Sequence, residues 1–547
     1  MPDSRPRRRA VAIATSLAAG ISVIIVMAVL GIAVQSSPVA RANPGEAATA
    51  SPTSLTAVVD PLSGAPATPS TTPAPSEAAS GNGQIRNVVL LLADDLDWEL
   101  FDQVPRLAAL KDAGTTLTNF VVTESLCCPS RTSFTLGQYV HNHKVVSNVP
   151  ETGGGWETFY RLKHQQDCLP TWLSAAGVTT AHVGKYLNGF PGRKLDPSYV
   201  PPAWDHFVTT VRGGGSPYDG YGYVLSTDGV LTQHNGGRTN FLDDVLTADT
   251  NAWLATATEP FFLEFASYLP HTPAPAALRN IGSRAGSRAP ISPSFNARGA
   301  GEPAWLSSLP QMGPKRLANL DQMWTRRLES GETLADSFDA IMSQLRTTGH
   351  ADDTLVIVTS DNGYHLGTHR MPSGKHTPYR EDAVVPAVLI GPGIPAGVEV
   401  KAMTSTIDLA PTIANLLGAQ TPDWVDGRDL TPLLQNPEGT PWRTGVLTES
   451  LTATRPGDPD YSDFEAPAYQ ALRTEDYLYV SYGTKGTALY DLRSDPSEMD
   501  NIIASADPAV VMQLAAQLDA LSACAGPSCR VADSLAPIVS SASSPSG

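Results

Sequence analysis

Short runs of consecutive apolar residues punctuate the chain at 87–93, 179–183, 261–266, 355–359 and 385–390. Hydrophobicity that is continuous rather than alternating predicts strands buried on both faces of a sheet. Between these runs the period becomes helical. Leu334, Phe338, Ile341, Met342 and Leu345 form an i, i+4, i+7, i+8, i+11 stripe that stops at Gly349. Buried strands alternating with such helices predict an α/β domain. Farther on, 477–482 and 488–492 read as short strands. A helix is expected over 508–521, capped by Asp507 and with Pro508 at its first position. This predicts a smaller antiparallel sheet plus helix over 441–534, packed on a main domain at 85–440.

The ends of the chain follow other rules. Arg5, Arg7, Arg8 and Arg9 precede an uncharged apolar run, within a 1–34 segment, that is long enough to cross a bilayer as a helix. It predicts either an uncleaved membrane anchor or a signal cut near Ala40-Arg41-Ala42, and export of the remainder in both cases. Residues 35–84, rich in Pro, Ala, Ser and Thr, cannot bury enough surface to fold alone and read as a disordered linker. The Ser-rich stretch 535–547 reads as a disordered tail. The Gly- and Ser-rich stretch 282–313 is expected to be a long loop that shapes substrate access.

Composition narrows the partners. A net charge of −17 over 547 residues argues against nucleic acid, whose phosphates are met by clustered Lys and Arg. Of the five cysteines, Cys524 and Cys529 lie in a Cys-Ala-Gly-Pro-Ser-Cys loop suited to a disulfide.

Polar residues gather where the predicted strands end. Asp94 and Asp95 follow the first, Lys185 the second, His271 the third, and Asp361 and Asn362 the fourth. Ligands of open α/β sheets bind at the carboxyl ends of strands, so these scattered residues converge on one expected site. Two carboxylates at the tip of a buried strand call for a counter-charge. With Asp361 and Asn362 they make an all-oxygen set that suits Ca2+ or Mg2+ better than zinc. Taken singly, each has an ordinary explanation: an Asp-Asp turn, a surface lysine, a loop histidine.

The segment 126–137 reads Leu-Cys-Cys-Pro-Ser-Arg-Thr-Ser-Phe-Thr-Leu-Gly. Pro129 suits the first turn of a helix, which places Cys127 near an N-terminus whose unpaired N–H groups attract anions. This segment resembles the sulfatase signature. Similar segments recur at 87–95, 139–143 (Tyr-Val-His-Asn-His), 184–188 (Gly-Lys-Tyr-Leu-Asn), 360–365 (Ser-Asp-Asn-Gly-Tyr-His) and 490–496. The resemblance spans about 85–530 and is greatest to the subgroup of N-acetylglucosamine-6-sulfatases and extracellular heparan sulfatases.

The resemblance implies an alkaline-phosphatase-like fold, a large mixed sheet covered by helices on both faces, and hydrolysis of sulfate esters of a sulfated carbohydrate. It implies that Cys127 is oxidised to formylglycine by a formylglycine-generating enzyme. A Ca2+ ion, or Mg2+, would be held by Asp94, Asp95, Asp361, Asn362 and an oxygen of residue 127. Arg131 would stabilise the ionised hydroxyl, Lys185 and Lys375 the sulfate oxygens, and His271 the bridging ester oxygen. If Cys127 is modified, Cys128 and Cys168 remain as a candidate second disulfide or as two inert buried thiols. One departure stands out: Leu187 occupies the histidine position of the Gly-Lys-x-His pattern, so His141 and His365 become candidates for the missing base. Two other functions compete. A phosphate or phosphonate monoester hydrolase would share the metal site, and a non-catalytic glycan-binding surface protein would leave Cys127 unmodified.

Overall fold

The computed structural model describes residues 85–456, 461 and 464–535. The predicted anchor or signal at 1–34, the linker up to residue 84 and all but the first residue of the 535–547 tail lie outside the described residues. Among the described residues, no helix is long and apolar enough to cross a membrane.

Each of the five apolar runs forms a strand: Asn87–Ala93, Thr179–Gly184, Phe261–Ala266, Thr354–Ser360 and Ala387–Ile390. All five belong to one ten-stranded sheet. Asn87–Ala93 lies at its centre, parallel to Phe261–Ala266 on one side and to Thr354–Ser360 on the other. Thr179–Gly184 extends the parallel part, whereas Ala387–Ile390 runs antiparallel to Thr354–Ser360, so the sheet is mixed.

The continuous hydrophobicity of the central strand follows from its two covers. Val88, Leu90 and Leu92 face a core that contains Phe134, Trp156, Phe159 and Ile413. Val89, Leu91 and Ala93 face the opposite core, with Leu334, Phe338 and Ile341. The helix bearing that predicted stripe is Pro314–Thr348, longer than the stripe itself, and it ends at Gly349, whose φ of 85° suits glycine. Within 282–313 one short helix, Ala304–Ser307, interrupts the loop. Backbone N–H groups of Gly282 and Ala289 tie the loop to Glu329 and Asp321 of the long helix.

The smaller antiparallel sheet comprises Gly445–Ser450, Tyr469–Thr474, Tyr477–Ser481 and Thr487–Asp491. Helix Pro508–Ser522 packs on it through Val510, Leu514, Leu518 and Leu521 against Leu447, Leu472 and Leu489. The Asp507 carboxylate accepts from the N–H of Ala509, as a cap should. Cys524 and Cys529 form the expected disulfide.

Cys128 and Cys168 do not pair, which corrects the second candidate bridge. Cys128 lies in the first turn of helix Cys127–Leu136 and Cys168 precedes helix Leu169–Ala175; both pack as small apolar side chains in the same core. Burial pushes both thiols up to about 12, so they stay protonated.

Candidate active site

Four strand ends and one helix start build the site. Asp94 and Asp95 leave the central strand, and Asp95 turns with a φ of 67°, a conformation Asp tolerates better than most residues. The turn is clamped from behind. Arg327, fully buried on the long helix, donates to the Asp95 carbonyl at 2.6 Å and to the Asp97 carboxylate at 2.7 Å. From the neighbouring strand end, Asp361 Oδ1 accepts from the Asp95 N–H at 3.2 Å, and Asn362 Nδ2 donates to Asp95 Oδ1 at 2.6 Å.

Cys127 is the first residue of helix Cys127–Leu136. Its Sγ lies 3.5 Å from Asp94 Oδ1 and accepts from Lys375 Nζ at 2.8 Å. Donor atoms of Asp94, Asp95, Cys127 and His271 all fall within 4.8 Å of one another. Lys185 Nζ bonds Asp94 Oδ2 at 2.5 Å and Lys375 Nζ bonds Asp95 Oδ1 at 2.7 Å. Arg131 donates from Nε to Asp361 Oδ2 at 2.8 Å and from Nη1 to the Lys185 carbonyl at 2.7 Å. His271 Nε2 stands 3.8 Å from Asp95 Oδ2, while Nδ1 pairs with the Thr272 carbonyl at 2.7 Å.

Six buried ionisable groups thus meet, and their charges match: Asp94, Asp95 and Asp361 against Arg131, Lys185 and Lys375. Burial alone would raise the Asp361 carboxyl, but Arg131 and then Lys185 hold it below the usual carboxylate range. Burial pushes the Cys127 thiol well above the ordinary thiol range, with Lys185 and Lys375 pulling the other way. As a thiol, residue 127 would be a poor nucleophile at neutral pH.

The donor set fits a hard dication. Asp95 Oδ2 and Asn362 Oδ1 are buried oxygens without a hydrogen-bond partner, beside the Asp94 and Asp361 carboxylates. A cation that prefers oxygen would satisfy both orphans. On the opposite account, Arg131 Nη2 is a buried donor without a partner, which suits an anion. A dication that enters with a sulfate monoester and one ionised hydroxyl would leave the balance of charge unchanged.

Of the predicted site residues, Asp94, Asp95, Cys127, Arg131, Lys185, His271, Asp361, Asn362 and Lys375 come together. His141 and His365 do not join them. Both ring nitrogens of His141 are engaged, Nδ1 by Glu449 at 2.7 Å and Nε2 by the Cys524 carbonyl at 2.9 Å, so this histidine ties the disulfide loop to the sheet. His365 Nδ1 sits on the Asp382 carboxylate at 2.9 Å and its Nε2 is buried without a partner. Asp382 also accepts from Thr377, which fixes the segment that follows Lys375. Leu187 is buried in the apolar core, so hydrocarbon fills the histidine position.

Two residues of the site escaped the sequence. Arg327 reads as half of an Arg-Arg pair on a helix surface, although Arg327 falls one turn before Gly331 and two turns before Leu334 on the buried stripe. Tyr218 lies in a Gly-rich stretch without period, yet its ring stacks on His271 with centroids 4.2 Å apart and lies under Lys185 Nζ at 5.3 Å.

This geometry has known counterparts. The family profile described as Sulfatase matches residues 86–419, and one described as N-sulphoglucosamine sulphohydrolase, C-terminal, matches 369–523. Human N-acetylglucosamine-6-sulfatase is 29% identical over 477 residues, 81% of this chain and 86% of that one. The Drosophila melanogaster extracellular sulfatase SULF-1 homolog is 31% identical over 64% of this chain and 31% of its own length. A protein solved in complex with its substrate D-glucosamine-2-N,6-O-disulfate superposes with a TM-score of 0.67 at 19% identity, covering 80% of this chain and 97% of that one, and shares its fold. The oxygen donors, buried cations and Cys-x-Pro-Ser-Arg helix start thus sit within a profile match of more than half the chain, which makes this protein a member of the sulfatase family and a sulfuric ester hydrolase.

Proposed function

We propose that the enzyme removes sulfate from a 6-O-sulfated amino sugar of the N-acetylglucosamine-6-sulfate type, with residue 127 acting as formylglycine beside a bound Ca2+ ion. The observation that carries the mechanism is the set of orphaned buried atoms around residue 127, two acceptors on Asp95 and Asn362 and one donor on Arg131. The substrate assignment is supported by the similarity to proteins named N-acetylglucosamine-6-sulfatase.

Asp94, Asp95, Asp361 and Asn362 would hold the metal, Mg2+ being the other hard cation that suits them; bound there, it would supply positive charge for the sulfate oxygens and the oxygen of residue 127. Oxidised to formylglycine, residue 127 would offer two geminal hydroxyls, one to attack sulfur and one to release sulfate again. The rest falls to the chain's own side chains. Asp361 takes the proton of the attacking hydroxyl, and Arg131 keeps that carboxylate ionised until it does. Lys185 and Lys375 donate from Nζ to the sulfate oxygens. His271, its Nδ1–H committed to the Thr272 carbonyl, acts as the imidazolium and gives its Nε2 proton to the ester oxygen as the S–O bond breaks and that oxygen takes the electron pair. The His271 Nε2 freed by that transfer takes the proton of the second hydroxyl as its oxygen closes the C=O bond and the C–O bond to sulfate breaks, so no replacement for the histidine absent at Leu187 is needed.

Maturation would require a formylglycine-generating enzyme as partner, and the apolar run near the N-terminus would carry the chain out of the cytoplasm as anchor or cleaved signal. Similarity to proteins named extracellular sulfatase supports export.

Release of sulfate from N-acetylglucosamine 6-sulfate and from 3-O-sulfated and N-sulfated glucosamine, and of phosphate from the 6-phosphate of the same sugar, tests the assignment. The 6-sulfate should be turned over fastest and the phosphate poorly. Turnover of aryl sulfates without any of the 6-sulfate would overturn the substrate, and a preference for the phosphate would overturn the choice of ester.

A further inference from the structure

Tyr218 sits where no motif placed a residue. It occupies a single 3-10 turn, Pro217–Asp219, within the Gly-rich stretch 212–222 that follows strand His206–Val211. The turn is pinned at both ends. The Gly215 N–H donates to the Gly222 carbonyl at 2.6 Å, and the Leu242 N–H donates to the Gly220 carbonyl at 2.9 Å. Gly220 has a φ of 76°, and a Cβ there would come within 2.6 Å of the Phe241 ring, so the turn closes against that ring only with glycine. The ring of Tyr218 is thereby held at the lip of the site, half-buried.

Its neighbours are the two side chains that face the ester. The ring stacks on the His271 imidazole at 4.2 Å with 30° between the planes, and Lys185 Nζ lies 5.3 Å from its centroid. Tyr268, whose hydroxyl pairs with Thr210, buttresses the Tyr218 ring edge-on at 5.6 Å. His271 follows Pro270 in a loop, with Nδ1 on the Thr272 carbonyl and Nε2 3.8 Å from Asp95 Oδ2; those contacts meet the ring at its edge, and the Tyr218 ring meets its face.

We infer that Tyr218 is a positioning residue for the reaction: its ring fixes the plane of His271, so that Nε2 points at the leaving oxygen, and shares a face of the site with Lys185. This rests on the leaving-group role proposed above for His271. The ring, not the hydroxyl, does this, since stacking and the cation–π contact both belong to the π-system.

The consequence is selective. A proton from His271 matters most when the departing oxygen is a poor leaving group and little when it is a stable phenolate. The test is kcat/KM for a series of aryl sulfates from 4-nitrophenyl sulfate to phenyl sulfate and on to an alkyl sulfate, for the wild type, Tyr218→Phe, Tyr218→Leu and His271→Ala, each checked for folding by its thermal midpoint. Tyr218→Leu should lose at least about tenfold more on the poorest leaving group than on 4-nitrophenyl sulfate, a fraction of what general acid catalysis commonly provides. Tyr218→Phe should track the wild type. His271→Ala should show the same selectivity more steeply. An equal loss across the series in Tyr218→Leu, with His271→Ala still selective, would overturn the inference alone. A loss in Tyr218→Phe as large as in Tyr218→Leu would move the role to the hydroxyl and overturn it too. A flat His271→Ala series would overturn the leaving-group role of His271 and the inference with it. The aryl series does not depend on which sugar is the natural substrate.

Discussion

At the scale of single residues, the site is a problem in counter-charges. Three carboxylates and three cations are buried together, and each is placed by a partner from another element. The motif residues were legible because they combine two signals: a strand end, which the apolar runs mark, and a residue type that cannot be buried alone. Asp94, Asp95, Asp361 and Asn362 carry both, Lys185 follows a strand directly, and His271 follows one after a short loop. Arg327 and Tyr218 carry neither signal, since a helix arginine and a loop tyrosine are unremarkable in sequence. Arg327 yields a prediction. It bridges the Asp95 carbonyl and the Asp97 carboxylate from a fully buried position. Replacing it by Met leaves the Asp97 charge unpaired, which costs about 3–5 kcal/mol, and releases the turn that aims Asp95. Thermal unfolding should show the loss, and the metal concentration needed for half-maximal activity should rise; an unchanged midpoint would refute the clamp.

At the scale of elements, the predicted strands form with shifts of only one or two residues at their ends. Hydrophobic runs define strand interiors, while their ends depend on register with neighbours that sequence does not display. Expecting the 334–345 stripe to mark the helix found only the C-terminal part of Pro314–Thr348; the buried face continues toward the N-terminus through Leu320, Trp324 and Leu328, among polar residues such as Asp321 and Glu329 that bind the 282–313 loop. The joint between helices offers a pH test. Asp243, on helix Leu242–Leu254, accepts from Ser267 at 2.8 Å and from Ser337 of the long helix at 2.9 Å. Burial outweighs these hydroxyls and pushes its carboxyl from 3.8 up to about 6. The folded state therefore keeps a proton that the unfolded chain releases between those values. This group favours folding most at acid pH, and its contribution falls as pH rises through that window and is least above about 6. Asp243→Asn should flatten this part of the stability curve measured by denaturant unfolding; an identical pH dependence in the variant would refute the assignment.

At the scale of the whole molecule, the fold class was legible because alternation of buried strands and helical stripes admits few architectures, and the small C-terminal sheet was legible from its change of period. The pairing of Cys128 and Cys168 was not, since shared burial in one core looks the same in sequence as a bridge. Net charge bears on the substrate. A chain with a charge of −17 repels a polysulfated polymer more than a singly sulfated sugar. Raising ionic strength should therefore increase kcat/KM on sulfated oligosaccharides and leave that on the monosaccharide sulfate nearly unchanged. A fall on the oligosaccharides would point instead to a local basic track.

In the proposed scheme residue 127 attacks only after oxidation, because the buried thiol is held protonated beside donors that suit a dication and an anion. Peptide mass spectrometry across residues 125–131, on protein from a host that has the modifying enzyme, tests it most directly. Cys127 should appear as the aldehyde or its hydrate; an intact thiol in protein that still hydrolyses sulfate esters at full rate would rule the scheme out.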